Sequence, residues 1–173
     1  TQSRGGVGSK GSDSRDEDFI EYIYQASMHN TMMFFTQKGR CYWLKVFQIP
    51  EGAKNAKGRA IQNLLNIDAD DKVNAFITTK QLNDEEFVKS HYLVFATKQG
   101  VIKKTSLEAY SRPRQNGVNA IVIREDDRLI QVCLTDGNSE IIMANRNGRA
   151  IRFNEENVRS MGRVSTGVRG MQL

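Results

Sequence analysis

Three acidic runs carry the residue type most often recruited for chemistry: 68–71, 84–86 and 125–127 each set three carboxylates within four positions. Paired carboxylates serve general acid–base catalysis, or hold a divalent cation, when they converge with other ligating groups. Here no histidine or cysteine stands beside them, and each run lies between apolar stretches, so they read as exposed connecting turns. His29 and His91 are isolated, and no Ser/His/Asp or Cys/His arrangement offers a nucleophile. Cys41 and Cys133 stand singly in apolar runs, which gives neither a CxxC metal pair nor a disulfide framework and suits a reducing cytoplasm. Gly6, Gly8 and Gly11 spell GxGxxG, but no strand precedes them and no helix pattern follows, so a dinucleotide site is not expected. Ser12 follows Gly11 where a phosphate-binding Walker loop needs lysine. No catalytic residue, metal site or cofactor is expected in this stretch of chain.

Positive charge is what remains. The net charge is +5 and the pI about 9.3, which makes a polyanion a plausible partner. The charge is unevenly placed: 31–60, 91–120 and 141–173 carry net +5, +4 and +4, while 1–30, 61–90 and 121–140 carry −2, −3 and −3. Three basic segments in step suggest a surface repeated along the chain. The candidate phosphate-binding residues are Arg4, Lys38, Arg40, Lys45, Lys54, Lys57, Arg59, Lys98, Lys103, Lys104, Arg112, Arg114, Arg146, Arg149, Arg152, Arg163 and Arg169. Tyr42, Trp43, Phe95 and Phe153 sit in apolar runs and are assigned to the core rather than to base stacking.

The elements that must position these cations repeat as well. Residues 32–45, 92–105 and 141–153 each read as an apolar strand, a short polar turn ending in glycine, and a second strand. Gly39, Gly100 and Gly148 supply the positive φ of a tight hairpin. A second glycine follows each hairpin, at Gly58, Gly117 and Gly167, offset by 19, 17 and 19 residues. A further strand is expected before each hairpin, at 19–26, 73–79 and 129–135, with short helical turns near 107–110 and 155–158. A unit of about four short strands, repeated without any long helical periodicity, predicts an all-β, propeller-like array. The expected layout is a glycine-rich linker over 1–18 and three blades at about 19–67, 68–125 and 126–173.

Several motifs resemble one family. Gly39-Arg40-Cys41-Tyr42-Trp43-Leu44-Lys45-Val46, then Ile49-Pro50, Ala56-Lys57-Gly58-Arg59 and Asn63-Leu64-Leu65, are similar to the first blade of the C-terminal domain found in the A subunit of DNA gyrase. The runs 100–105 and 159–170 resemble its next blades. Gln2, Arg4, Gly5, Gly6 and Gly8 match that family's glycine-rich box, with Ser3 and Val7 replacing two basic residues. The resemblance implies a β-pinwheel of six blades, of which this chain would hold about three, and a function: sequence-independent wrapping of duplex DNA in support of negative supercoiling. It also implies that the catalytic tyrosine lies elsewhere in the gyrase polypeptide that carries this domain, and that ATP and Mg2+ belong to other parts of a parent ATP-dependent topoisomerase. The implied partners are duplex DNA, the rest of the A subunit of gyrase, and the B subunit of gyrase.

Two rival readings are the equivalent domain of topoisomerase IV and a protein-interaction propeller; the retained box favours gyrase. No apolar run approaches the roughly 18 residues of a membrane span. The polar, glycine-rich start at Thr1 to Lys10 has no signal-peptide pattern. A cytoplasmic location is expected.

Overall fold

The computed structural model describes residues 4–8, 19–53, 56–80 and 82–173. Its first unit is the hairpin β1 (Thr31–Thr36) and β2 (Arg40–Lys45), paired from Thr31↔Lys45 to Phe35↔Cys41. The turn closes because the Thr36 hydroxyl accepts from the Arg40 amide at 3.1 Å while Gly39 takes φ +85°. β3 (Val73–Thr79) runs antiparallel to β1. The next hairpin, β4 (Tyr92–Thr97) and β5 (Val101–Ser106), copies this turn, with Thr97 accepting from Val101 at 3.3 Å. The two-residue β6 (Val118–Asn119) returns to β2, completing a sheet of order β3-β1-β2-β6. β7 (Leu129–Thr135) joins β4, and β10 (Val168–Arg169) joins β5, giving β10-β5-β4-β7. Between these last two lies the third hairpin, β8 (Glu140–Ala144) and β9 (Ala150–Asn154).

Each four-stranded sheet therefore combines a hairpin, the strand that follows it, and a short strand that arrives only after the next hairpin. The strands at 73–79 and 129–135 pair backward with the preceding hairpin, not forward, so the sheets are not bounded at 68 and 126. No strand forms at 19–26. Instead Tyr22 and Tyr24 pack their rings on Phe76, centroids 5.4 and 4.5 Å away. The expected turns appear as 3₁₀ helices at Leu107–Tyr110 and Glu155–Asn157.

The sheets stack through alternate faces of the same strands. Met33, Phe35, Ala75 and Ile77 of the first sheet meet Leu93, Phe95 and Val132 of the second. The opposite face of the second sheet, with Val94 and Ile102, takes Ile141, Met143 and Phe153 of the third hairpin. Burying one such side chain is worth about 1.5–3 kcal/mol, so stacking rather than strand pairing alone holds the array.

Candidate nucleic-acid interface

Two of the acidic runs turn out to support basic hairpin turns, and the third begins a short helix. Asp71 is buried and its carboxylate accepts from the amides of Lys38 (3.2 Å) and Lys72 (2.9 Å), fixing the first hairpin turn. Asp127 does the same for the second, accepting from the Gln99 (3.0 Å) and Arg128 (2.8 Å) amides. Asp84 caps the short helix α1 (Glu85–Ser90) by accepting from the Phe87 amide at 3.1 Å, and Glu85 and Glu86 fill its first turn. Among the described residues no group of three His, Cys, Asp or Glu side chains is placed to hold a metal ion.

Most of the expected cations reach solvent. Arg4, Lys45, Lys57, Arg59, Lys98, Arg112, Arg114, Arg146, Arg149 and Arg169 are exposed, and none is within ion-pair distance of a carboxylate among the described residues. Lys38 and Arg152 are exposed too, but Lys38 pairs with Asp70 and Arg152 lies 3.9 Å from Glu140. The hydrogen bond from Lys38 raises its own pKa and lowers that of Asp70. Arg40 is half-buried and held: its guanidinium donates to Asn119 Oδ1 (3.0 Å), the Asn116 carbonyl (2.6 Å) and the Tyr42 hydroxyl (3.3 Å). Arg163, also half-buried, donates to the Asn119 carbonyl at 3.4 Å. Within the glycine-rich box, Gly5 and Gly8 adopt φ +83° and +87° in open space and Val7 is exposed. Gln2, Ser3 and Lys54 lie outside the described residues.

Lys103 and Lys104, expected at the surface, are buried. Lys103 donates to the carbonyls of Ala120 and Arg163, both at 2.7 Å, and burial together with the Arg163 charge brings its pKa down to about 8. Lys104 donates to the Glu155 carbonyl (2.9 Å) and lies 3.8 Å from the Glu155 carboxylate. These two lysines bind the array to itself. Arg124, overlooked because it begins an acidic run, is exposed and shares a shallow cleft with Arg169, Gln99 and Val101. Of the aromatics, Tyr42 and Phe95 are buried and Trp43 and Phe153 half-buried, which leaves packing as their role.

A family model described as "DNA gyrase C-terminal domain, beta-propeller" matches residues 30–80, 91–132 and 139–173. The chain belongs to this family. The matched segments coincide with the three hairpins and the strands that follow them. The A subunit of DNA gyrase from Haemophilus influenzae is 42% identical over 172 residues, covering 99% of this chain and 19% of that protein. The gyrase-family chain thus spans about a fifth of the length of its curated relatives. Among solved structures, the C-terminal domain of DNA topoisomerase IV aligns with a TM-score of 0.71 at 30% identity, over 84% of this chain and 44% of that one. The DNA gyrase A C-terminal domain aligns with a TM-score of 0.69 at 20% identity, over 85% and 45%, and shares the fold.

Proposed function

We propose that this gyrase-family chain binds duplex DNA through its phosphates and wraps it, as a non-catalytic module of a topoisomerase that introduces negative supercoils. The observation that carries the reading is the recurrence of exposed, unpaired Lys and Arg side chains on all three repeats. Wrapping needs many backbone contacts without base readout, because bending 20–30 bp by 40–90° costs on the order of 1–6 kcal/mol. One patch offsets little of that; cations distributed along a stacked array offset much more. The partners this reading assigns, in the cytoplasm, are the remaining domains of the A subunit of gyrase, with the strand-cleaving chemistry, and the B subunit of gyrase, with ATP and Mg2+. Among the described residues no helix is long and apolar enough to cross a membrane.

The test is topological. A nicked DNA circle is ligated with and without saturating amounts of the chain, then freed of protein. Wrapping shifts the linking-number distribution in proportion to bound protein, whereas an unshifted distribution at full occupancy defeats the wrapping claim. The topoisomerase IV likeness supports a second reading, the equivalent domain of that enzyme. Fusing the chain to a gyrase core separates the two, since only a gyrase-type module supports supercoiling there.

A further inference from the structure

The sheets exchange strands at two seams, β6 on β2 and β10 on β5. They also stack at two joints, the first between the two four-stranded sheets, the second between the second sheet and the third hairpin. Corresponding residues at the two joints carry different chemistry. Two repeated bonds fix the correspondence. At the turn, the amides of Arg40, Val101 and Arg149 donate to the Thr36, Thr97 and Asn145 side chains at 3.1, 3.3 and 2.9 Å. At the far end, the amides of Val46, Leu107 and Glu155 donate to the carbonyls of Asn30, His91 and Ser139 at 3.0, 2.9 and 2.9 Å. Trp43 of β2 therefore corresponds to Lys104 of β5, and Leu107 to Glu155.

At the first joint, Trp43 packs against the apolar cluster that holds the fully buried Leu107. Among the described residues, the Trp43 indole N–H and the buried Thr79 hydroxyl have no hydrogen-bond partner. At the second joint, Lys104 donates to the Glu155 carbonyl at 2.9 Å and lies 3.8 Å from its carboxylate. Thr135, which pairs with the first residue of β4 as Thr79 pairs with the first residue of β1, donates to that carboxylate at 2.7 Å. The Lys104 ammonium also lies 4.8 Å from the centre of the Tyr92 ring. The two sides of the joint differ together: an indole goes with a leucine, an ammonium with a carboxylate.

Repeat chains fail characteristically by misassembly and domain swapping, because each unit can dock where its neighbour should. Apolar burial is non-directional, so two apolar sheet faces discriminate weakly between the units that could cover them. A buried charge discriminates strongly. Glu155 brought to the first sheet meets an indole and no cation. Lys104 covered by Leu107 has no carboxylate. Each mismatch leaves a buried ion unpaired, which is strongly destabilising. We propose that Lys104 and Glu155 are the discriminating pair of the array: they admit the third hairpin to the second sheet, refuse it at the first, and so fix where β10 returns. The proposal concerns assembly and holds whatever the array binds.

The experiment follows refolding of the 173-residue chain from urea. Amide exchange is read at Gly170 and Met171, which donate to the Gly100 carbonyl where β10 lies on β5. Gel filtration at two protein concentrations counts the refolded species, and the unaltered chain gives one. Glu155→Gln keeps the side chain's shape and removes its charge. It is expected to lose protection at Gly170 and Met171 by roughly 100-fold, as a stranded buried ion implies, and to refold to more than one species. The extra species is a misdocked monomer or a concentration-dependent swapped dimer. Lys104→Met/Glu155→Leu makes both joints apolar. It is expected to be more stable than Glu155→Leu alone and still to refold to more than one species, because stability returns without the choice of partner. Val88→Ala weakens the first joint without altering charge and is expected to refold to one species. A single natively protected species in either Glu155→Gln or the double variant overturns the proposal, as does an equal mixture in Val88→Ala. A double variant no more stable than Glu155→Leu overturns it too, since the two residues then do not act as a pair.

Discussion

Glu155 is fully buried, and everything its carboxylate touches is a donor or a cation. It accepts from the Thr135 hydroxyl (2.7 Å) and the Ser139 amide (2.8 Å) and faces the Lys104 ammonium at 3.8 Å. Removing one member of a buried ion pair strands the other, at about 3–5 kcal/mol. Glu155→Ala is therefore expected to lower the stability read by urea unfolding by about that amount, and adding Lys104→Met to recover part of it. A double variant that costs as much as the sum of both would show that the pair is not coupled. Lys103 makes a pH-dependent prediction of opposite character. Its pKa falls from the ordinary lysine value of 10.5 to about 8, so the folded chain carries fewer protons than the unfolded chain between those values. Its charged form costs stability in full below pH 8, and that cost is relieved as pH rises toward 10.5. A neutral amine still has two N–H groups for the two carbonyls it serves. Compared with Lys103→Met at each pH, the unaltered chain should gain about 1–3 kcal/mol across this window and show a constant difference below it. Neither lysine's burial was legible in the sequence. Neighbouring strand residues point to opposite faces, and a Lys-Lys pair is ordinarily solvated on at least one; here both faces of β5 are covered.

Among the elements, the hairpins were plain in the sequence because everything that makes them is local: an apolar run, a side-chain cap, a glycine. The two-residue strands β6 and β10 were not. Their pairing depends on partners 77 residues apart in one case (Cys41 with Val118) and leaves only a glycine before a valine as its trace. That glycine is specific all the same. Gly167 has φ +98°, and a Cβ there would lie 2.5 Å from the Ile102 carbonyl oxygen. Gly148, in the third hairpin turn, has φ +80° with nothing near. Alanine at either position meets left-handed strain of about 1–2 kcal/mol. At 167 it also pushes β10 from β5, and with it the amides of Gly170 and Met171 that donate to the Gly100 carbonyl at 2.9 and 3.1 Å. Gly167→Ala should cost at least about 1–3 kcal/mol more than Gly148→Ala in thermal unfolding, consistent with losing two or more hydrogen bonds. Equal costs would mean that β10 contributes little to the second sheet.

At the scale of the whole molecule, the exchange of strands changes what a repeat array can do. In a simple stacked array each repeat carries its own pairing and meets its neighbours through side chains alone, so an end can fray without disturbing the next unit. Here the chain that leaves the third hairpin turns back along the second sheet. The Met161 amide donates to the Lys104 carbonyl at 2.8 Å, β10 pairs with β5, and the Val122 amide donates to the Ser165 carbonyl at 3.0 Å, linking the return path to the first seam. This was the part of the fold least legible in the sequence, where strand order suggests pairing with the next hairpin, the commoner arrangement for consecutive strands. The consequence can be measured by native-state hydrogen exchange. Phe153 lies in β9, half-buried against the second sheet. Phe153→Ala removes contacts by which the third hairpin packs on the second sheet and leaves the first sheet untouched. Because the return path is anchored by that hairpin, the variant is expected to speed exchange at β5 and β10 by the same factor as at β8 and β9, and at β1 much less. A factor confined to β8 and β9 would show that the third hairpin opens alone, and that strand exchange joins the repeats in space without joining their stability.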